Sequence, residues 1–169
     1  VPVTENAVYT GGFELVPRTY TVTWVIDTDE RKETFTTEWR YGDMPVFEGD
    51  ISVLSDMYIY RFSKWDKTLA PVKKDVTYTA LYRKIPLATC GNTVLDIEHN
   101  ETEVKVFAIG VEVSVKEAAL LAYETGKTLT VCWNDLLSVS FSGEELQHYV
   151  DCGTPNLKLQ VSQEGNLEV

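Results

Sequence analysis

The chain has 169 residues, of which 44% are hydrophobic and 24% are charged, a composition typical of globular proteins with a buried core. Its net charge of −11 disfavours binding to nucleic-acid phosphates or to anionic lipid. The apolar runs are far shorter than the roughly 20 residues that a membrane span needs. Two histidines and three cysteines argue against a Cys/His zinc site and a dense disulfide framework. The composition therefore predicts no nucleic-acid partner, no membrane span in this segment and no metal.

The first 17 residues repeat a later part of the chain at an offset of 69 positions. The matched pairs are Pro2 and Pro71, Val3 and Val72, Tyr9 and Tyr78, Thr10 and Thr79, Val16 and Ile85, and Pro17 and Pro86. Self-similarity at a fixed spacing indicates tandem modules. We therefore predict that residues 1–19 are the tail of a preceding repeat plus a linker, and that neighbouring repeats of the same polypeptide are partners.

The acidic charge belongs to the second half of the chain. Residues 20–86 carry 10 basic and 11 acidic side chains, whereas residues 87–169 carry 4 basic and 13 acidic ones. A β-rich run also ends at Pro86, where a proline favours a break. These changes predict two domains, 20–86 and 87–169, with contacts between them across residues 83–90.

The first predicted domain is rich in strands. Residues 20–26 alternate apolar and polar side chains, turn at residues 27–30 and return through residues 34–41, which is the pattern of a β-hairpin. A loop containing Gly42, Pro45 and Gly49 follows. Further strands are predicted at residues 57–65 and 76–83, and a short helical turn at residues 51–57.

This region resembles the Listeria–Bacteroides repeat family of internalin-type surface proteins. The matching segments are Tyr20-Thr21-Val22-Thr23-Trp24, Tyr41-Gly42-Asp43-Met44-Pro45-Val46, Phe62-Ser63-Lys64-Trp65, Ala70-Pro71-Val72 and residues 75–82. The family usually has glycine where this chain has Lys64, so the local backbone is expected to differ. The resemblance implies a small β-grasp-like, ubiquitin-like module repeated along an extracellular stalk.

The second predicted domain contains its own repeat, at an offset of 28 residues. The pairs are Val111 and Val139, Val113 and Phe141, Ser114 and Ser142, Glu117 and Glu145, Leu129 and Leu157, and Val131 and Leu159. Ser114 with Glu117, and Ser142 with Glu145, have the spacing of a helix capping box. Each predicted helix ends before a glycine, Gly126 or Gly153, and has one apolar stripe.

Alternating strands surround these two helices, at residues 95–97, 104–106, 129–133, 139–141 and 157–161. The order predicts a β-β-α-β-β-α-β module with one sheet and two helices. Small modules near the ends of bacterial S-layer-associated surface proteins are vaguely similar. The predicted fold class is therefore α+β, with two small domains.

The residues that could support catalysis form no recognisable motif. His99 is predicted in a turn and His148 on the polar side of the second helix, and neither has a nucleophile and an orienting group at a known spacing. Cys90 and Cys152 are the only pair considered for a disulfide. Residues 27–30 contain three carboxylates but lack the spacing of a calcium loop. The sequence predicts no catalytic residue, no metal ligand and no cofactor.

Four tryptophans are candidates for a binding surface, because exposed aromatic rings bind sugars and proline-rich peptides. Trp24 and Trp133 alternate with apolar neighbours and are predicted to lie in the core. Trp39 and Trp65 are the candidate binding residues, although Trp65 stands where the resembled family has a structural tryptophan.

Together these features predict a non-enzymatic segment of a bacterial cell-surface protein that acts as a stalk, spacer or adhesion module. It would lie outside the cell, secreted or anchored to the wall. The alternative is a module that binds carbohydrate or a host protein, including one accessory to a surface enzyme.

Overall fold

The structure is a computed structural model, and it describes residues 11, 12, 14, 16–134, 136–154, 156–161 and 167–168. Of the predicted tail and linker at residues 1–19, residues 1–10, 13 and 15 lie outside the described residues. About 48% of the described residues are in strands and 12% in helices, and these residues form three sheets and two short helices. The predicted α+β class is therefore wrong, and the fold is mainly β.

The first sheet contains five strands. They are β1 (Thr19–Asp27), β2 (Lys32–Arg40), β3 (Val53–Leu54), β4 (Tyr58–Trp65) and β5 (Val76–Pro86), in the order β2-β1-β5-β4-β3. β1 and β5 are parallel and the other neighbours are antiparallel. The predicted hairpin and the two later strands are confirmed. The predicted helical turn at residues 51–57 is wrong, because Val53 and Leu54 pair with Tyr60 and Ile59 as an edge strand.

The expected β-grasp differs from the observed first sheet in its covering layer. A grasp module packs a helix across its sheet, but among described residues 16–86 there is no helix. The loop between β2 and β3 covers the sheet instead, and its Phe47 ring packs beside Trp24. Gly49 permits this path, because a Cβ at that position would lie 2.5 Å from the Phe47 ring. Aromatic side chains therefore fill the space that a helix would occupy.

The segment around Lys64 contains a local irregularity of the β4–β5 pair. Phe62 pairs with Tyr82 and Lys64 pairs with Leu81, so the register shifts by one residue between them. A β-bulge of this kind places one extra residue in a strand without requiring the left-handed backbone that glycine favours.

The second half of the chain forms two sheets. Its elements are β6 (Thr89–Cys90), β7 (Thr93–Val94), β8 (Ile97–His99), β9 (Glu103–Phe107), β10 (Glu112–Ser114), α1 (Lys116–Glu124), β11 (Thr128–Asn134), β12 (Leu137–Phe141), α2 (Gly143–Asp151), β13 (Lys158–Val161) and β14 (Leu167–Glu168). One sheet has the order β14-β13-β10-β6-β7 and the other has the order β12-β11-β9-β8.

The prediction of a single sheet in this half is wrong. β10 follows β9 closely along the chain, but it pairs with β6 through Ser114 and Thr89 and with β13 through Val113 and Leu159. The short strand β6, which the sequence analysis missed, therefore helps to place β10 in a separate sheet. Each helix then carries the chain from one sheet to the other.

The two strand-helix-strand units predicted from the 28-residue repeat are present. The first unit is β10-α1-β11 and the second is β12-α2-β13. The predicted stripe on α1 is buried at Ala118, Leu121 and Ala122, and that on α2 is buried at Leu146 and Tyr149. These side chains belong to one large aliphatic core with the facing strand residues.

Both helices end as predicted. Gly126 and Gly153 have φ values of +67° and +84°, a backbone conformation that glycine adopts at low cost. Gly126 donates a hydrogen bond to the Tyr123 carbonyl, and Lys127 donates to that of Ala122. Gly153 and Thr154 make the equivalent bonds on α2. Each helix therefore ends in a Schellman motif.

The two helix starts differ. On α2, the Glu145 backbone N–H donates to the Ser142 hydroxyl, and the Ser142 N–H donates to the Glu145 carboxylate, so the predicted capping box is confirmed. On α1 the prediction is wrong, since the N-cap is Val115, which makes no side-chain capping bond. Pairing holds Ser114 in β10, and the Ala118 N–H donates to the Leu87 carbonyl instead.

Candidate functional site

The largest concentration of aromatic side chains lies on the loop-covered face of the first sheet. Trp24 is its centre, with no exposed surface. The centroid of its ring is 4.9 Å from that of Trp65, 5.2 Å from Tyr78 and 5.4 Å from Phe47. Tilted and offset ring pairs at these separations are favourable beyond the burial of their surface. The prediction that Trp24 is a core residue is confirmed.

Trp65, one of the two candidate binding residues, packs into this cluster. Its ring centroid lies 5.5 Å from that of Phe47 and 5.4 Å from that of Phe62, both in edge-to-face geometry. The side chain is half-buried. It packs against two buried clusters of the first sheet, one around Trp24 and one around Ile26. These contacts give Trp65 a packing role.

Trp39, the other candidate, lies on the edge strand β2 and is half-buried against the same cluster. Its indole N–H donates to the Thr37 hydroxyl at 2.8 Å, and the Trp24 indole N–H donates to the same oxygen at 3.0 Å. The Thr37 hydroxyl donates to the Val22 carbonyl at 3.5 Å. Both indole donors are therefore satisfied within the protein.

The acidic turn at residues 27–30 is the tip of the β1–β2 hairpin, as predicted. Asp27 pairs with Lys32 at 3.4 Å, and Asp29 pairs with Lys84 at 3.0 Å. The Lys84 ammonium lies 4.6 Å from the centroid of the Tyr58 ring, and the neighbouring Tyr60 and Asp29 side chains raise the pKa of Lys84. Lysine charges thus already balance two of the turn's carboxylates.

Within the described residues, no group of three or more His, Cys, Asp or Glu side chains lies close enough together to hold a metal ion. None of the helices that the structure describes has the length and apolar character needed to cross a membrane.

The two histidines lie apart from each other and have different neighbours. His148 is on α2, and its Nε2 lies 3.8 Å from the thiol of exposed Cys152. His99 is the last residue of β8 instead of a turn residue, and its Nε2 lies 2.9 Å from the carbonyl of Asp56 in the first half of the chain. Cys90, Cys132 and Cys152 are all free, so the disulfide considered from the sequence is absent.

The first sheet and the second half of the chain meet at a junction. Contacts across residues 83–90 were expected from the sequence, but the parts played by Ile59, Arg61 and α1 were not. We define the junction by Ile59, Arg61, Ile85 and Leu87 on one side and by α1 on the other. Ile59 is 8% exposed and Leu87 is 1% exposed, and both belong to the large aliphatic core that contains α1. Ile85 packs against the same core.

Backbone hydrogen bonds reinforce the junction. The Leu87 N–H donates to the Met57 carbonyl at 2.9 Å, and the Leu87 carbonyl accepts from the Ala118 N–H at 3.0 Å. One residue therefore connects the last turn before β4 to the first turn of α1. Backbone groups that are satisfied in this way fix the position of both elements.

Charged side chains lie at the rim of the junction. Arg61 on β4 contacts Glu117 at 3.5 Å and Glu124 at 3.3 Å, one at each end of α1. Arg61 and Glu124 are partly exposed, so these pairs contribute little to stability by themselves. Their geometry nevertheless places both ends of α1 within reach of β4. The sequence signal for such a continuous core is the run Ile85-Pro86-Leu87-Ala88, which crosses the end of β5 without a polar linker.

Comparison of the chain with family models, with curated proteins and with solved structures finds no match. The resemblance of residues 20–86 to the Listeria–Bacteroides repeats therefore stays a prediction.

Proposed function

We propose that this chain is a non-enzymatic segment of a bacterial cell-surface protein that works as a stiff spacer in an extracellular stalk. The observation that carries the proposal is the junction, because Ile59 and Ile85 of the first sheet pack into the core of the second half. A spacer must transmit position from one end to the other, and a shared apolar core resists bending better than a solvated linker does.

The residues flanking the boundary support the same proposal. β5 ends at Pro86 and β6 begins at Thr89, and Leu87 and Ala88 between them are buried. Flexible linkers are exposed and rich in glycine or polar residues. The chain here therefore has no exposed segment that could serve as a hinge between β5 and β6.

Backbone ¹⁵N relaxation of the full chain tests this stiffness. If the two halves move together, one rotational diffusion tensor is expected to describe the amides of both. The first half is represented by β1, β2, β4 and β5, and the second by β9, β11 and β12. Two different correlation times in the unaltered chain would contradict the proposal. As a control, Ile59→Ser with Arg61→Ser is expected to separate the two sets of correlation times while each half keeps its amide spectrum.

The same labelled protein distinguishes a spacer from a binding module. Titration with cell-wall and host glycans and with host matrix proteins is expected to leave the Trp39 and Trp65 indole signals unchanged. Saturable shifts at these indoles, lost in Trp39→Ala, would favour the carbohydrate- or host-protein-binding alternative.

The proposed location outside the cell has a separate test. The coding sequence on either side of this segment is expected to contain an export signal, further copies at the 69-residue spacing and a wall anchor. An adjoining catalytic domain would instead make these modules accessories of an enzyme.

A further inference from the structure

The two ends of the first sheet differ in how their apolar residues are covered. β1 and β5 are parallel, with Val22 paired to Val76, so the start of β1 and the end of β5 lie at opposite ends of the sheet. At the end of β5, Ile59 and Ile85 are packed against the second half of the chain. At the start of β1, Tyr41 is 59% exposed.

We call the second of these surfaces the upstream face and define it by Tyr20, Tyr41, Met44 and Val46. The rings of Tyr20 and Tyr41 have centroids 6.4 Å apart. Met44 is 52% exposed and Val46 is 53% exposed, both in the loop that begins at Tyr41. Tyr41, Met44 and Val46 are thus large apolar side chains exposed within six residues of one loop, and such exposed apolar surface favours contact with another body.

The path of the chain brings its preceding residues to this face. The Tyr41 N–H donates to the Arg18 carbonyl at 2.9 Å, so the segment that enters β1 is fixed beside Tyr41. Val16, two residues earlier, is 77% exposed. A folded unit that ended at Pro17 would therefore lie next to the upstream face.

The sequence identifies what such a unit would be. Val16 and Pro17 match Ile85 and Pro86 in the 69-residue repeat. In the later copy, Ile85 is a β5 residue that packs against the next unit of the chain. Val16 thus stands where a preceding copy would present its own junction residue.

We infer that the upstream face is the docking surface for the end of a preceding copy of the fold of residues 20–86. Val16 would take the part that Ile85 plays in the observed junction, and Tyr41, Met44 and Val46 would become buried. This inference rests on the proposed spacer function. It adds a second kind of stiff junction, between successive copies of the repeat, to the observed junction between the first sheet and the second half of the chain.

The test adds the residues that would complete a copy together with residues 1–17. Residues 20–69 of this chain are added directly before Val1, so that together with residues 1–17 they make one complete copy followed by the full chain. Both methionines of the added segment are replaced by leucine. The two native methionines, Met44 and Met57, are then the only ones that mass spectrometry reports.

The readout is the rate at which hydrogen peroxide oxidises Met44, relative to Met57 as an internal reference. Docking is expected to slow the oxidation of Met44 at least threefold compared with the unextended chain. The matched control is Val16→Asp in the extended chain, which is expected to restore the faster rate. An unchanged Met44 rate in a folded extended chain would overturn the inference.

Hydrogen exchange of residues 2–17 shows whether the added copy folds. Protection of these amides is expected, and an added segment that stays unprotected would also overturn the inference, because residues 1–17 would then not complete a module. The oxidation and exchange results do not depend on the ¹⁵N relaxation of the unextended chain, which tests the spacer function. A failure of the docking inference is therefore distinguishable from a failure of the proposed spacer function.

Discussion

The two halves of this protein are filled by different kinds of side chain. The first sheet is covered by a loop, and its core is built from tryptophan, tyrosine and phenylalanine rings around Trp24. The second half has two helices, and its core is built from valine, leucine and alanine. Alanines at 118, 119 and 122 are fully buried on α1, where small side chains permit close approach of the helix to the strands.

This difference shows how a sheet without a helix can still have a core. An aromatic ring buries about 150–250 Å², so a few rings replace the area that a helix face would bury. The cost is dependence on a single residue, since Trp24 contacts three other rings of its cluster. The aliphatic core distributes its contacts over many smaller side chains.

Trp24→Ala breaks the aromatic half and is expected to have the largest effect. Truncation of a buried tryptophan costs about 3–5 kcal/mol, here with loss of the ring pairs and of the indole bond to Thr37. Urea unfolding followed by far-UV circular dichroism measures the change. Leu129→Ala in the aliphatic half is the comparison, and it is expected to cost about 2–5 kcal/mol. A cost below about 1 kcal/mol for Trp24→Ala would contradict the central role of this ring.

Ile59→Ala tests whether the two halves depend on each other. Removal of this buried side chain is expected to cost about 2–5 kcal/mol, and the loss is expected in both halves because Ile59 belongs to the first sheet and to the aliphatic core. Native-state hydrogen exchange of β1 and β11 amides measures each half. Leu54→Ala, on the neighbouring strand but 45% exposed, is the control and is expected to change stability by less than about 0.5 kcal/mol. An effect of Ile59→Ala confined to one half would contradict the shared core.

The strands were predictable from the sequence wherever one face is buried. Val22, Trp24 and Ile26 alternate with polar residues and are all buried, so a period of two marks β1 clearly. The two-residue strands β3, β6 and β7 carry no such signal, because a period cannot be recognised in so few residues. Missing β6 led to the wrong prediction of one sheet.

Contacts across residues 83–90 were expected, but their partners could not be predicted, because these contacts join residues far apart in sequence. Arg61 and Glu124 are 63 positions apart, and nothing in either segment identifies its partner. The binding role of Trp39 and Trp65, inferred from residue type and from their less clearly internal positions, stays a prediction. Local pattern did not show that Thr37 would accept both the Trp39 and Trp24 indole protons.

The helix starts show the same limit on a smaller scale. Ser114 and Ser142 have identical capping-box spacing, but only Ser142 caps its helix. Ser142→Ala is expected to cost about 1 kcal/mol, as the loss of an N-cap typically does. Ser114→Ala is expected to change stability by less than about 0.5 kcal/mol. Thermal and urea unfolding of both variants measure this, and equal costs would contradict the different starts.

Acid pH is expected to weaken the α2 start specifically, with a smaller effect than the substitutions above. Hydrogen bonds from the Ser142 backbone and side chain lower the pKa of Glu145. Because the pKa is lower in the folded than in the unfolded protein, this stabilisation is complete above the unfolded value and is lost as the pH falls through the folded value.

In Glu145→Gln the side chain keeps a hydrogen-bond acceptor but cannot titrate. Between about pH 6 and pH 3, the free energy of unfolding of this variant is therefore expected to fall less than that of the unaltered chain. Glu144→Gln, in the same helical turn but outside the capping box, controls for a general change in charge. If both variants flatten the pH dependence equally, the capping bond is not its source, and the contrast between α1 and α2 would be one of geometry without an electrostatic part.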